Sequence, residues 1–333
     1  MGSRGTERPV SDREEREGTS RPEVLLTVLV PVFNEEEVLP ETYRRLTAVL
    51  EEIGESYEIL FVDDGSRDGS RRILGELASA DRRVKVVVFS RNFGQQAAMS
   101  AGLARAAGRA VVMIDADLQD PPEMIPAMLA EWRRGNRIVY TRRTRRKGET
   151  WGKRITAALF YRLLRALSGQ DIPEDVGDYR LIDRRVAKLV AALPERNRYI
   201  RGLVSWTGCR SVVLDYVRDE RFAGTTKYDY RRMARLALDA LTAFSNPLRY
   251  ATWIGFGLSA GSFLYLLYAI YEKLFTDHTV QGWTSLIVVS LFFHGVMLAM
   301  LGLMGEYVGR ILEEAKGRPL YVVEETENLP EED

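Results

Sequence analysis

From residue 24 onward, apolar runs alternate with amphipathic ones. Residues 24–32 form an apolar run that ends in Pro31-Val32, and Asn34-Glu35 open a helical pattern reaching about residue 53. The next apolar run, 57–62, ends in Asp63-Asp64-Gly65, and a helix is predicted over 70–80. A third strand is predicted at 84–89, a third helix at 95–107, and a fourth strand at 110–114 that ends in Asp115-Ala116-Asp117. A further strand is predicted at 138–141. Repeated strand–helix units predict an α/β domain built on a mostly parallel sheet with helices on both faces.

The pattern changes after residue 230. Met233, Leu236, Ala237, Ala240, Leu241 and Phe244 recur at helical spacing, while Arg231, Arg232 and Arg235 fall largely elsewhere. This predicts an amphipathic helix over 230–247, lying on a membrane surface or packed on the soluble domain. Residues 250–271 carry no formal charge, and 283–305 carry none apart from the imidazole of His294. As a helix, each stretch extends roughly 33 Å, enough to cross a hydrocarbon core of about 30 Å. Two transmembrane helices over 248–306 are expected. Arg231, Arg232, Arg235 and Arg249 precede the first, Arg310, Lys316 and Arg318 follow the second, and the loop between them holds only Lys273. This bias puts both ends in the cytoplasm. The expected organisation is a disordered leader (1–23), a cytoplasmic catalytic domain (24–229), the interface helix (230–247), the hairpin, and a cytoplasmic tail (307–333). The expected location is the inner (plasma) membrane.

Composition narrows the chemistry. Lys+Arg and Asp+Glu are both 47, a balance that argues against coating nucleic acid. The single cysteine and two histidines exclude a disulfide framework and a Cys- or His-rich metal site. Any metal must be held mostly by oxygen, which favours Mg²⁺ or Mn²⁺.

Asn34, Asp63, Asp64, Arg91, Asn92, Asp115 and Asp117 all fall where predicted strands end. Ligands of such sheets bind beyond the carboxyl ends of the strands. Asp115 and Asp117 repel unless a cation lies beside them, and a cation held there keeps positions open for a diphosphate. Asp63 and Asp64 are candidate acceptors for a base or a ribose, and Gly65 allows close approach of a ligand. The basic run from Arg142 to Arg154 reads either as a solvated loop or as a flap over a diphosphate, with Arg142 its best single candidate. Arg201, Arg221 and Lys227 are candidates for a lipid phosphate.

Four segments, VPVFNEEEVL (30–39), FVDDGSRDGS (61–70), SRNFGQQAAMSAGL (90–103) and DADLQDPPEMI (115–125), resemble family-2 inverting glycosyltransferases of the GT-A fold. GDYRLIDRR (177–185), RFAGTTKYDYRRM (221–233) and the two apolar stretches resemble the polyisoprenyl-phosphate branch of that family, in particular its bacterial undecaprenyl-phosphate glucosyltransferases. The resemblance implies transfer of a sugar, with a UDP-sugar and glucose expected, to a polyprenyl phosphate. It implies metal ligation by Asp115, Asp117 and Gln119. It places Pro31, Asn34, Glu35 and Asp63 around the nucleotide, and Asp178 where the family has an acidic catalytic residue. Asp178 is read either as a base or as a group orienting Arg180 or a sugar hydroxyl. Other donors (GDP-mannose or an aminoarabinose-type sugar), a processive polysaccharide synthase and an inactive membrane-anchored scaffold remain alternatives. A homo-oligomer is expected.

Overall fold

The computed structural model describes residues 24–143, 176–196, 198–217 and 283–329, together with isolated positions between 261 and 275. Arg221, Lys227, the basic residues from Arg145 to Arg154, the interface helix at 230–247 and most of the first expected span lie outside the described residues.

The described strands are β1 (Leu26–Val32), β2 (Tyr57–Asp63), β3 (Val84–Phe89), β4 (Ala110–Met113), β5 (Ile138–Arg143), β6 (Val176–Asp183), β7 (Ser211–Tyr216) and β8 (Val323–Glu327). The helices are α1 (Leu39–Ile53), α2 (Ser70–Ala80), α3 (Gln95–Arg105), α4 (Ile125–Arg133), α5 (Arg184–Ala192), α6 (Ile200–Trp206) and α7 (Trp283–Ala315). All eight strands form one sheet in the order β7-β5-β6-β4-β1-β2-β3-β8.

β1 pairs in parallel with β2 and β4, β2 with β3, and β5 with β7. β6 runs antiparallel between β4 and β5, and β8 runs antiparallel along β3. The central strands are buried on both faces, which is why LTVLVPV and YEILFVD read as continuous apolar runs. Alternate side chains serve two cores. Val28, Val30, Ile59 and Phe61 pack with Leu46 of α1, Leu74 of α2 and Met128 of α4. Leu29, Leu60 and Val62 pack with Met99 of α3, Val186 of α5 and Val204 of α6.

The first helix starts later than its periodicity suggests. Residues 34–38 form a turn held by α2's approach, because Asn34 N–H donates to Ser66 Oγ, Glu35 N–H to Ser70 Oγ and Glu36 N–H to Asp68. Asn34 sits at φ 54°, a left-handed conformation that asparagine tolerates.

The C-terminal segment departs from the expected tail. Helix α7 continues to Ala315, beyond the expected boundary at 306, and residues 323–327 then add the eighth strand to the sheet. Tyr321 stacks on Phe89 at 4.9 Å, and Asn328 Nδ2 donates to the carbonyls of Ala78 and Val84. Glu314 near the end of α7 accepts from Arg196 N–H at 2.8 Å. Residues 323–327 of the expected tail are therefore part of the catalytic sheet. Over the residues whose side chains are described, no helix is long and apolar enough to cross a membrane. That set omits several positions within α7, whose first 23 residues form the second uncharged stretch.

Candidate active site

The order of the strands builds the site. The chain leaves β1 toward β2 and β3, then returns to place β4 on the other side of β1. This reversal opens a crevice at the carboxyl ends of β1 and β4, where Asn34 and Asp115 follow their strands. Because β6 is antiparallel, its amino end reaches the same rim, bringing Gly177 and Asp178 there with Arg142 and Arg143 from the end of β5. Tyr216 arrives from the end of β7.

The β2 end divides its two aspartates between different tasks. Asp63 is fully buried, Oδ1 accepts from Ser66 N–H at 3.1 Å, and Oδ2 has no hydrogen-bond partner among the described residues. Burial raises its pKa, against the Ser66 hydrogen bonds. Asp63 thus keeps an unused acceptor beside the crevice. Asp64, expected at a base or ribose, is engaged on both carboxylate oxygens by the protein. Its carboxylate accepts from Asn92 Nδ2 at 2.9 Å, Phe93 N–H at 2.6 Å and Gly94 N–H at 2.9 Å. It fixes the loop before α3. Burial raises its pKa and those N–H donors oppose the rise.

Gly65 also faces protein rather than ligand. It adopts φ 67°, and a Cβ built there would lie 2.4 Å from the backbone carbon of Arg91. Gly65→Ala is expected to cost at least about 1–2 kcal/mol for the left-handed conformation alone. The clash with the 91–94 loop adds to this, so thermal unfolding should show a clearly lowered midpoint. Arg91 itself is exposed and lies over the Phe93 ring at 4.0 Å. Pro31, Asn34 and Glu35 are half-buried at the end of β1, where Asn34 Oδ1 accepts from Arg67 N–H at 2.8 Å.

The acidic centre follows β4. Asp115 Oδ1 accepts from Gln95 Nε2 at 2.8 Å, and Asp117 Oδ1 accepts from Gln119 N–H at 3.2 Å. Burial, then the charges of Asp178, Asp120 and Asp117, push the Asp115 carboxyl up to about 7, with Arg143 opposing. Asp178 meets two guanidinium groups: Arg180 Nη2 at 3.2 Å from Oδ1 and Arg201 Nη2 at 3.2 Å from Oδ2. Burial opposes its ionisation, but Arg201 and Arg180 outweigh burial and hold its carboxyl below the usual range. A depressed carboxylate is a poor base, so the orienting alternative is the one the geometry favours. Arg201, expected at a lipid phosphate, stands at this rim through Asp178. Arg180 is fully buried and also donates from Nη2 to the Gly177 carbonyl at 2.8 Å.

Arg142 does not point into the centre. Its Nε and Nη2 bind Asp215 at 2.7 and 3.0 Å, an exposed fork between β5 and β7. Its neighbour Arg143 is the residue directed inward, to Tyr216 and Asp120. Asp120, Gln95 and Tyr216 were not singled out in the sequence as site residues, Arg143 entered only as one member of the basic run, and Arg180 only as a group that Asp178 orients. The alternation of a strand shows that residues 142 and 143 face opposite ways, without showing which of them faces the site.

The donor set suits a hard divalent cation. Asp115 and Asp117 offer oxygen only, and their mutual repulsion is what a cation relieves. Among the described residues no group of three acidic, His or Cys side chains converges to hold a metal. Two carboxylates with substrate oxygens completing the shell is the usual Mg²⁺ pattern.

Comparison with known proteins fits this geometry. Glycosyl transferase family 2 matches residues 27–190. An uncharacterized glycosyltransferase, YkcC, of Bacillus subtilis is 52% identical over 301 residues, covering 90% of this chain and 93% of that protein. The bactoprenol glucosyl transferase of Shigella phage SfII is 42% identical over 302 residues, covering 90% and 98%. A homologue so named in an Escherichia coli K12 prophage is 40% identical over 299 residues, covering 90% and 98%. The chain belongs to glycosyl transferase family 2, in the branch of the polyisoprenyl-phosphate glycosyltransferases, and is a glycosyltransferase.

Proposed function

We propose that this enzyme transfers a sugar, glucose from UDP-glucose, to a polyprenyl phosphate at the cytoplasmic face of the membrane, with inversion at the anomeric carbon. The carrying observation is the match to bactoprenol glucosyl transferases over 90% of the chain. The second uncharged stretch and the exposed apolar side chains of α7, Leu286, Leu298 and Ile311 among them, support a membrane seat. The hairpin over 248–306 anchors the catalytic domain, with both ends inside by the positive-inside bias. The tail of the acceptor then stays in the bilayer, since each CH₂ exposed to water costs about 0.8 kcal/mol.

The acceptor needs little activation. The second pKa of a phosphate monoester is roughly 6, so it is mostly dianionic at neutral pH. The protein must align it with the anomeric carbon and offset the repulsion between phosphates. Asp115, Asp117 and Gln119 hold Mg²⁺ or Mn²⁺, which stabilises the departing diphosphate. Asp63 faces the nucleotide. Asp178 holds Arg201 toward the reacting phosphates, and Arg221 and Lys227 meet the lipid head group. A homo-oligomer is part of this reading.

A panel of nucleotide sugars incubated with undecaprenyl phosphate tests it. UDP-glucose is expected to give one lipid-linked hexose, and EDTA to abolish transfer until Mg²⁺ or Mn²⁺ is restored. Transfer from another donor would correct the sugar. Polymeric product would favour the synthase, and absence of transfer from every donor would overturn the reading.

A further inference from the structure

The end of β5 places a third guanidinium, after those of Arg180 and Arg201, beside the acidic centre. Arg143 Nε donates to Tyr216 Oη at 3.0 Å, and Arg143 Nη2 lies 3.6 Å from Asp120 Oδ1. The Tyr216 hydroxyl donates to that same Asp120 oxygen. One hydroxyl therefore accepts from the arginine and donates to the aspartate, which fixes its direction. Asp120 is 1% exposed and Tyr216 5%, so both are part of the protein interior.

The same guanidinium also lies against β6. A Cβ added at Gly177 would stand 3.2 Å from Arg143 Nη2, one residue before Asp178. The knot joins the end of β5, the end of β7 and the loop that carries Asp115 and Asp117. Burial works against the charge of Arg143, but Asp120 and Tyr216 outweigh it and its pKa is raised. Its side chain keeps 20% exposure, whereas the neighbouring Arg142 is 50% exposed and forked onto Asp215.

We propose that Arg143 contacts the diphosphate oxygens of the sugar donor, and that Asp120 and Tyr216 are positioning residues that aim its guanidinium. The assignment rests on the nucleotide-sugar reading above. A planar guanidinium matches phosphate oxygens bidentately, and one already held by two partners needs little reorganisation when the diphosphate arrives. It complements the cation that the carboxylates would hold, since each brings positive charge to the same leaving group.

The test uses the full chain in detergent and compares binding of UDP with binding of uridine by calorimetry. UDP is replaced by GDP if the donor panel selects a guanosine donor, with guanosine then replacing uridine. Arg143→Gln is expected to weaken UDP at least about tenfold and leave uridine unchanged, while Arg142→Gln shifts UDP less than about threefold. Gly177→Ala moves the guanidinium without removing it, and should weaken UDP with uridine unchanged even where Arg143→Gln folds poorly. Tyr216→Phe should give a smaller loss of the same kind, with the KM for the donor rising more than kcat falls.

Unchanged UDP affinity in both Arg143→Gln and Gly177→Ala would overturn the proposal. So would an equal loss in Arg142→Gln, or a change confined to the KM for undecaprenyl phosphate, which would move Arg143 to the acceptor. A wild-type chain that binds neither UDP nor GDP would bring down the nucleotide-sugar reading and this assignment with it.

Discussion

Asp117→Asn should lower turnover by at least about 10²-fold, on the scale of losing one strong electrostatic contact to the transition state. That factor corresponds to about 2.7 kcal/mol of barrier. Asp117 is half-buried on the loop after β4, outside both apolar cores. Its Oδ1 accepts from Gln119 N–H, a bond that the amide oxygen of asparagine can keep. The change therefore removes charge with little change of shape, and the unfolding midpoint should stay close to that of the wild type. Steady-state transfer measured in Mg²⁺ and in Mn²⁺ is the check. Near-normal turnover with either ion would remove Asp117 from the cation site.

Asp178→Asn should produce the largest loss of stability, about 3 kcal/mol, because it leaves a buried charge without its counter-ion. Arg180 is fully buried, and the Asp178 carboxylate is its acidic partner at 3.2 Å. The sign of the pH dependence follows from the depressed carboxyl. Its stabilisation is fully present above the unfolded pKa of about 3.9 and is lost as pH falls through the lower folded value. Denaturant curves of wild type and variant should stay separated through neutral pH and converge only in strong acid. Turnover should fall as well, since Arg201 loses the group that holds it. The acid limb of the rate profile should remain near the second pKa of the acceptor phosphate. A variant as stable as the wild type at pH 7 would refute the ion-pair account.

Local pattern carried a large part of this protein. The apolar runs of β1 and β2 and the amphipathic helices after them announced the parallel core, because strands buried on both faces must be apolar throughout. The polar residues after β1, β2 and β4 announced the rim, and the order of the motifs announced the family. C-terminal strand β8 was not legible, since VEETE is acidic and joins an edge whose other partner, β3, lies far back in the chain.

What the sequence determined by itself is the set of features whose signal lies within a few residues: periodicity, strand ends, and the position of Asp63, Asp115 and Asp117 at those ends. What only the tertiary structure decided is which polar group reaches the centre. Insertion of antiparallel β6 between β4 and β5 carries Asp178 to the rim, where Arg201 and Arg180 depress its carboxyl. Approach of the 91–94 loop engages both oxygens of Asp64, and the orientation of β5 sends Arg143 inward and Arg142 to Asp215. The physical reason is that side-chain periodicity reports which residues share a face, whereas the identity of that face depends on strands brought together across the whole chain.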